Sequence, residues 1–390
     1  MARAPLRLLA ALGFSVALAG VAEAQSSQFG SRGLGLPARP WSAHSLGMGG
    51  ALSLFDTESS LSPASIAGLA SLQSVGSATS NWRDSQNDTG SGFGRDTRIG
   101  IIQAAGPVHV TETGLVRFNA SISVSSYLDR NFGLASSDSI TLRDERFLVR
   151  DTLLSQGGLS DVRIAASWNS GGRVIVGLAG HLITGAARVY TSRTIDSDLY
   201  SLVREVREVS YLGYGVSSGL TFRVSDRIAV GGMARIDAPA RVERDTTDLG
   251  TVEFPVTLAF GARATVHPRL LLAGHVLHRG WSTADADLKD LGGLGSRNSL
   301  ELAGGLEWAR SGSDVTRWPL RLGFHRSTLP FPLEAGGQGR EVGLSLGTGV
   351  RLGSGGRGGF DFAAQQVWRS EGTQWREQAF MLTVGISIRQ

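Results

Sequence analysis

After Leu69 the sequence takes up a two-residue rhythm and keeps it to its last residues, apolar side chains alternating with small or polar ones. This is the period of a β-strand, whose successive side chains point to opposite faces. Fourteen such segments can be counted, at 71–82, 97–106, 114–127, 159–169, 173–190, 208–224, 227–238, 252–266, 269–281, 297–309, 317–327, 341–353, 359–370 and 376–389. The number is even, and most segments exceed the roughly 9–11 residues that a tilted strand needs to cross a bilayer. An all-β fold is therefore expected, a transmembrane antiparallel β-barrel of about 14 strands.

The faces of these segments are cleanly divided. Val342, Leu344, Leu346, Val350 and Leu352 alternate with Gly343, Ser345, Gly347, Gly349 and Arg351, and Phe380 to Ile388 repeats the pattern against Thr383, Gly385 and Ser387. Val252, Phe254, Val256, Leu258 and Phe260 likewise alternate with Glu253, Pro255, Thr257, Ala259 and Gly261. A soluble sandwich would turn the apolar face inward and a membrane barrel would turn it out, so the alternation alone leaves both open. The connections and the tryptophans favour the barrel. Short turns at 169–172, 225–226, 267–268, 311–314 and 353–356 alternate with longer links at 83–96, 128–158, 191–207, 239–251, 282–296 and 328–340. Trp82, Trp281, Trp368 and Trp375 fall at the long-link ends of segments, and Trp168, Trp308 and Trp318 at the short-turn ends, as two interfacial girdles require.

Composition excludes several alternatives. Charged residues make up 18% of the 390 residues, below the roughly 25% usual for soluble domains. The net charge of +4, evenly spread, does not mark a nucleic-acid binder. The chain has no cysteine, which removes thiolate metal sites and cysteine nucleophiles. Residues 1–24 read as a signal peptide. Arg3 and Arg7 precede an uncharged run from Leu8 to Ala22, and Ala22-Glu23-Ala24 places cleavage before Gln25.

Between leader and strands, residues 25–70 are Gly- and Ala-rich and too short for a domain. Leu46, Met48, Leu52, Leu54, Phe55, Leu61, Ile66 and Leu69 need an apolar surface to lie against, so this segment must be enclosed by the strand segments C-terminal to it. Ser62 as cap, Pro63 at the first position and Gly68 as terminator suggest a short helix. The run Ser45-Leu46-Gly47-Met48-Gly49-Gly50-Ala51, followed by Ser62-Pro63-Ala64, resembles the N-terminal signature of the FadL-type and PorV-type outer-membrane proteins. Ser62 stands where that group usually has Asn. The resemblance implies a plug, or hatch, over 25–70 inside a barrel formed by 71–390, with Gly47, Gly49, Gly50, Ser62, Pro63 and Ala64 as its motif. Trp318 to Phe324 and the closing Phe380–Ile388 strand are similar to the last strands of such barrels. The chain ends in Arg389-Gln390, not in an aromatic residue, so recognition by the barrel-assembly machinery is expected to rest on Phe380 and its alternating strand.

No catalytic or metal centre stands out, and neither an enzyme activity nor a cofactor is expected. Two Gly-x-Ser-x-Gly matches, at 215–219 and 343–347, lie mid-strand, where a hydrolase elbow needs a strand-to-helix turn. The seven histidines show no metal-pair spacing. Arg117, Arg163, Arg235, Arg263, Arg321 and Arg351 share the predicted inward faces with Asp237, Glu253, Glu301, Glu307 and Asp361. An Arg on the lipid face would cost about 2–4 kcal/mol at the bilayer midplane, so these charges belong in the lumen. There they can pair, hold the plug or meet a carboxylate ligand.

The resemblance implies outer-membrane transport of hydrophobic or amphipathic small molecules, long-chain fatty acids among them. An apolar pocket is expected around Leu46, Met48, Leu52, Leu54 and Phe55. A PorV-like scaffold that binds secreted proteins, and a purely structural outer-membrane barrel, are the alternatives. A docking role predicts ordered structure in links 128–158 and 191–207. The expected surroundings are outer-membrane lipids and lipopolysaccharide. No wall gap can be placed, because segment 114–127 has no internal Pro or Gly to kink it.

Overall fold

In the computed structural model, described over residues 27–87, 90–110, 116–142, 144–197, 202–309, 318–352 and 357–390, fourteen strands close into one antiparallel barrel. They are β1 (Gln73–Asn87), β2 (Gly90–Val110), β3 (Val116–Asp129), β4 (Glu145–Asn169), β5 (Val174–Ile195), β6 (Val203–Arg223), β7 (Ile228–Asp237), β8 (Thr257–His267), β9 (Leu270–Arg279), β10 (Ser299–Trp308), β11 (Leu320–Thr328), β12 (Arg340–Leu352), β13 (Gly358–Glu371) and β14 (Trp375–Arg389). Each pairs with its sequence neighbours, and β14 closes on β1 with Arg389 opposite Gln73 and Arg376 opposite Gln86. Every predicted segment is represented, in order. The proposed signal peptide lies outside the described residues.

The orientation that the sequence left open is now settled. Leu344, Leu346, Leu322, Phe324, Ile164 and Phe260 are exposed on the outer surface, while Gly343, Ser345, Gly347, Thr383 and Ser387 are buried inside. An apolar exterior on a closed, edgeless sheet is the arrangement that lipid demands and water penalises. The chain is an outer-membrane β-barrel.

Three expectations are corrected. The segment 252–266 is not one strand: residues 253–256 are irregular around Pro255, which has no N–H to give a ladder, and β8 starts at Thr257. Val252 and Phe254 therefore turn inward while Leu258 and Phe260 face out, and Glu253 is exposed instead of lumenal. The long links 83–96 and 191–207 are mostly strand, because β1 runs on to Asn87, β2 starts at Gly90, and β5 and β6 extend to Ile195 and from Val203. Trp281 leaves the outer girdle: it is 1% exposed, edge-on to Phe331 at 5.0 Å and Phe254 at 6.2 Å. It belongs to an apolar roof with Leu34, Leu128, Tyr211 and Leu288. Trp168, Trp308 and Trp318 are exposed at the short-turn end, as expected.

Beyond the barrel rim the strand Phe132–Leu142 pairs with the first half of β4, and the hairpin Ala240–Arg244/Thr247–Val252 pairs with β6. Together with the far ends of β5 and β6 they make an outer sheet. The short helix α1 (Ala43–Gly47) packs inside against β11 to β14, and α2 (Asp285–Asp290) lies in the link after Trp281.

Candidate functional site: the barrel lumen

Residues 27–72 thread the lumen from the long-link end to the start of β1. Ser27 Oγ donates to Glu377 at 2.8 Å near the head of β14, and Leu36–Pro37 pairs with Leu128–Asp129. The helix that forms is at 43–47, where Ser42 accepts from the Ser45 N–H at 3.0 Å. The helix expected at 62–68 is a 3-10 turn, Ser65–Gly68, whose Gly68 stays out of the left-handed region. Ser62 still accepts a hydrogen bond, from Ala64 N–H at 3.3 Å.

The glycines of the motif have separate tasks. Gly49 (φ 68°) and Gly50 (φ 88°) take the left-handed conformation that reverses the chain after α1. Gly47 lies against Gly347, where a Cβ on Gly47 would sit 2.9 Å from the facing Cα. Pro63 and Ala64 rest on Gly177 of β5, where a Cβ would meet the Pro63 carbonyl carbon at 2.3 Å. The bare inner face of the wall thus lets the inserted backbone come close.

Leu46, Met48, Leu52, Leu54 and Phe55, expected to line a pocket, are each at most 8% exposed and pack with Trp41, Leu61, Met233 and Leu277. In this conformation their place is filled by protein. Polar ties surround the cluster. Arg39 bridges Glu301 (3.2 Å) and Glu341 (2.5 Å), His44 meets Glu307 at 2.9 Å, and Gln103 donates to Thr57 O at 2.7 Å.

The predicted lumen charges mostly hold the wall and the insert together. Arg163 donates to Ser60 O, Arg351 lies 2.6 Å from Asp361 and 4.0 Å from Glu58, and Arg321 pairs with Glu307 and Asp361 at 2.6 and 2.7 Å. Arg235 pairs with Asp161 at 2.6 Å and Asp237 at 2.9 Å. Arg263 stands 5.6 Å from the centre of the Phe55 ring, and Glu301 also meets His275 at 3.3 Å. The Arg117 side chain lies outside the described residues. Sequence reasoning missed Arg39, Glu341, Arg369 and Glu377, linked by contacts of 2.5–2.6 Å. Glu341, Arg369 and Glu377 lie on inward register positions, which was the available signal; Arg39 precedes any strand and gave none.

Free space lies elsewhere, under the aromatic roof. A cavity of about 40 Å³ is lined by the apolar Pro37, Leu61, Tyr127, Leu128, Met233 and Trp281 and by the polar Asp161, His181, Arg235 and Arg279. A second, of about 20 Å³, adjoins Arg39, Glu301 and Glu341. Arg279 lines both, and its guanidinium makes no ion pair or hydrogen bond among the described residues.

Beside the larger cavity the wall is split. The β2–β3 ladder ends at Ile101 opposite Ser125. Beyond it, β3 turns inward through a bulge at Tyr127, and Leu128–Asp129 pairs with Leu36–Pro37 instead of β2. Only side chains bridge the split among the described residues: Arg98 reaches Asp129, and Ser126 Oγ donates to Ile99 O at 3.1 Å. A bulge needs neither Pro nor Gly, which is why segment 114–127 gave no sign of it.

Comparison with solved structures matches this architecture. A FadL homologue from Pseudomonas aeruginosa superposes with TM-score 0.61 at 12% identity, over 91% of this chain and 99% of that one. The toluene transporter TodX of Pseudomonas putida gives 0.56 at 11% identity over 90% and 98%, and the monoaromatic hydrocarbon channel CymD 0.55 at 13% over 90% and 97%. The fold is that of the FadL-type outer-membrane barrels. No family profile and no curated protein matches the sequence. Within the FadL-type frame, the threaded N-terminal segment, the split beside β3 and the cavity behind it are one continuous region of this chain.

Proposed function

We propose that this barrel passes hydrophobic or amphipathic small molecules across the outer membrane, residues 25–70 acting as its plug. The observation that carries the reading is the split between β2 and β3 with a part-apolar cavity directly behind it. Each methylene moved from water into such a space contributes about 0.8 kcal/mol, so uptake needs no coupled energy source. A molecule would come in under the roof of Trp281 and Phe331 and leave sideways past Tyr127. Long-chain fatty acids are one class of cargo, for which the unpaired Arg279 offers a carboxylate partner. The solved neighbours described as toluene transporters support small aromatic hydrocarbons as the other. The cluster from Leu46 to Phe55 would become a pocket only after the plug shifts, with Arg39, His44 and Glu58 releasing their partners.

The test is uptake into vesicles carrying the purified protein, with labelled long-chain fatty acid and labelled toluene as separate cargoes. Because the chain has no cysteine, Ile99→Cys/Ser126→Cys can be joined across the split by a short thiol linker. Flux should fall at least fivefold on linking and return when a cleavable linker is cut. Equal flux in both states would end the lateral route, and no flux in any state would end the transport reading.

One observation favours a second reading, the PorV-like scaffold. The described parts of links 128–158 and 191–207 join the outer sheet, and Phe132–Leu142 pairs along one edge with β4 and with no other strand among the described residues. A free strand edge can accept an extended peptide. Recovery of a secreted protein bound to that edge, with no cargo flux, would establish it.

A further inference from the structure

Across three adjacent strands the lumen wall carries a hydrogen-bonded chain of Asp, His and Ser that the transport reading does not use. Asp161 of β4 lies 2.9 Å from His181 Nδ1, and His181 Nε2 of β5 lies 2.8 Å from Ser217 Oγ of β6. All three are at most 7% exposed. An ionised carboxylate only accepts, so Nδ1 carries the ring proton and Nε2 of the neutral ring accepts from the serine hydroxyl. This is the polarity a nucleophilic serine requires: a base at its oxygen and a positioning carboxylate behind the base. Ser217 is also the serine of Gly215-Val216-Ser217-Ser218-Gly219. The absence of an elbow argues against an α/β-hydrolase but not against a triad, which is defined by geometry and roles.

Two further features bear on the same place. Arg235 is the ladder partner of Ser217, and Arg163 is the ladder partner of His181. Arg235 Nη2 and Arg163 Nε and Nη2 are buried without a hydrogen-bond partner. Guanidinium N–H groups left free beside a nucleophile suit the oxyanion of a tetrahedral intermediate. Asp161 and His181, though not Ser217 itself, are among the residues that line the larger cavity, together with Leu61, Met233 and Trp281.

We propose that Ser217, His181 and Asp161 form a hydrolytic site for small carboxylic esters inside the barrel. Ser217 Oγ attacks the ester carbonyl while its proton passes to His181 Nε2. The C–O bond to the alcohol breaks, and the departing oxygen takes that proton. Water then attacks the acyl-serine, giving a proton to Nε2, and the acid leaves as Ser217 regains its hydrogen. Ester and water become acid and alcohol, with nothing else consumed. Asp161 holds the ring tautomer and does not itself exchange a proton.

The experiment treats the detergent-solubilised full-length barrel with a small alkyl fluorophosphonate, locates the adduct by mass spectrometry, and follows p-nitrophenyl acetate hydrolysis in parallel. Wild type should be labelled on Ser217 and should turn over ester. Ser217→Ala and His181→Gln should lose at least a hundredfold of both, while Ser218→Ala, on the outer face, should keep both. Asp161→Asn should slow labelling and Asp161→Glu recover part of it, a pattern that loss of packing would not give. Thermal unfolding of every variant separates misfolding from lost chemistry. An intact wild-type barrel that takes no label, or a label undiminished in Ser217→Ala, overturns the proposal and leaves the three residues as a structural network.

Discussion

At the scale of single residues, the lumen is organised by what side chains leave out. Gly323 of β11 sits where a Cβ would lie 2.0 Å from the Met48 carbonyl carbon, so no side chain fits without moving the insert. Gly304 of β10, close by in sequence and structure, has nothing within 4 Å of that position. Gly323→Val should therefore dislodge the segment around Met48, lowering stability by about 1–3 kcal/mol as overpacked cores do. Limited proteolysis between residues 43 and 69 should speed up, while Gly304→Val should behave as wild type in both measurements. A second residue-scale expectation concerns pH. Asp285 in the outer link is held below the ordinary carboxylate range, first by its hydrogen bond from Lys289 and then by the Ser296 N–H. A carboxyl whose folded pKa is depressed contributes stability that is present above its unfolded value and lost as pH falls through the folded one. Amide exchange at Ser296 should thus be slow from neutral pH down into the acidic range and rise only below the usual Asp pKa. In Asp285→Asn the low-pH rise should disappear, leaving faster exchange at neutral pH.

At the scale of elements, the decisive feature is one extra residue in one strand. Tyr127 has no partner in the β3–β4 register, which jumps from Ser126 to Leu128, and the displaced end of β3 pairs with Leu36–Pro37. Deleting Tyr127 removes the two-against-one count that makes a bulge. The β2–β3 ladder should then run on past Ser125, amides of residues 126–129 should gain protection, and cargo flux should fall at least tenfold. Unchanged exchange and flux would mean that the insert, not the bulge, holds the wall apart. The same strand shows what the sequence could and could not disclose. Alternation reports which face is apolar, and so all fourteen strands and the inward placing of Arg163, Arg321 and Glu301 were legible. A bulge leaves alternation intact on either side and adds no special residue, so the split was not. Pro255 was visible in the sequence, yet apolar residues at 252, 254, 256 and 258 masked the break. Trp281 illustrates the opposite error: a strand-end tryptophan satisfies an interfacial girdle and an aromatic roof equally well, and only the tertiary neighbours Phe254 and Phe331 decide. The Asp161–His181–Ser217 chain was illegible because its members are separated by 20 and 36 positions and meet only through the diagonal of three paired strands.

At the scale of the whole molecule, several strands are longer than a bilayer requires, and the position of the lipid belt along them is a physical question. β4 runs 25 residues, against the roughly 9–11 that span the hydrocarbon. Its far half pairs with Phe132–Leu142 and the near half with β3, so only the near half belongs to the barrel proper. Ile164 in the near half is 66% exposed and Leu148 in the far half 57%, and exposure alone does not distinguish lipid from water. Substitution by arginine does. A guanidinium near the midplane loses its hydration and costs about 2–4 kcal/mol, whereas one beyond the interface costs about 0–1 kcal/mol. Ile164→Arg should lower the unfolding free energy in lipid bilayers by the larger amount, and Leu148→Arg should leave it nearly unchanged. Denaturant titration of the two variants against wild type reads the difference directly. Equal large penalties would place the outer sheet in lipid and leave no docking surface above the membrane. Equal small penalties would place the near half of β4 in water, and the membrane barrel, its lateral opening and its transport would all fall together.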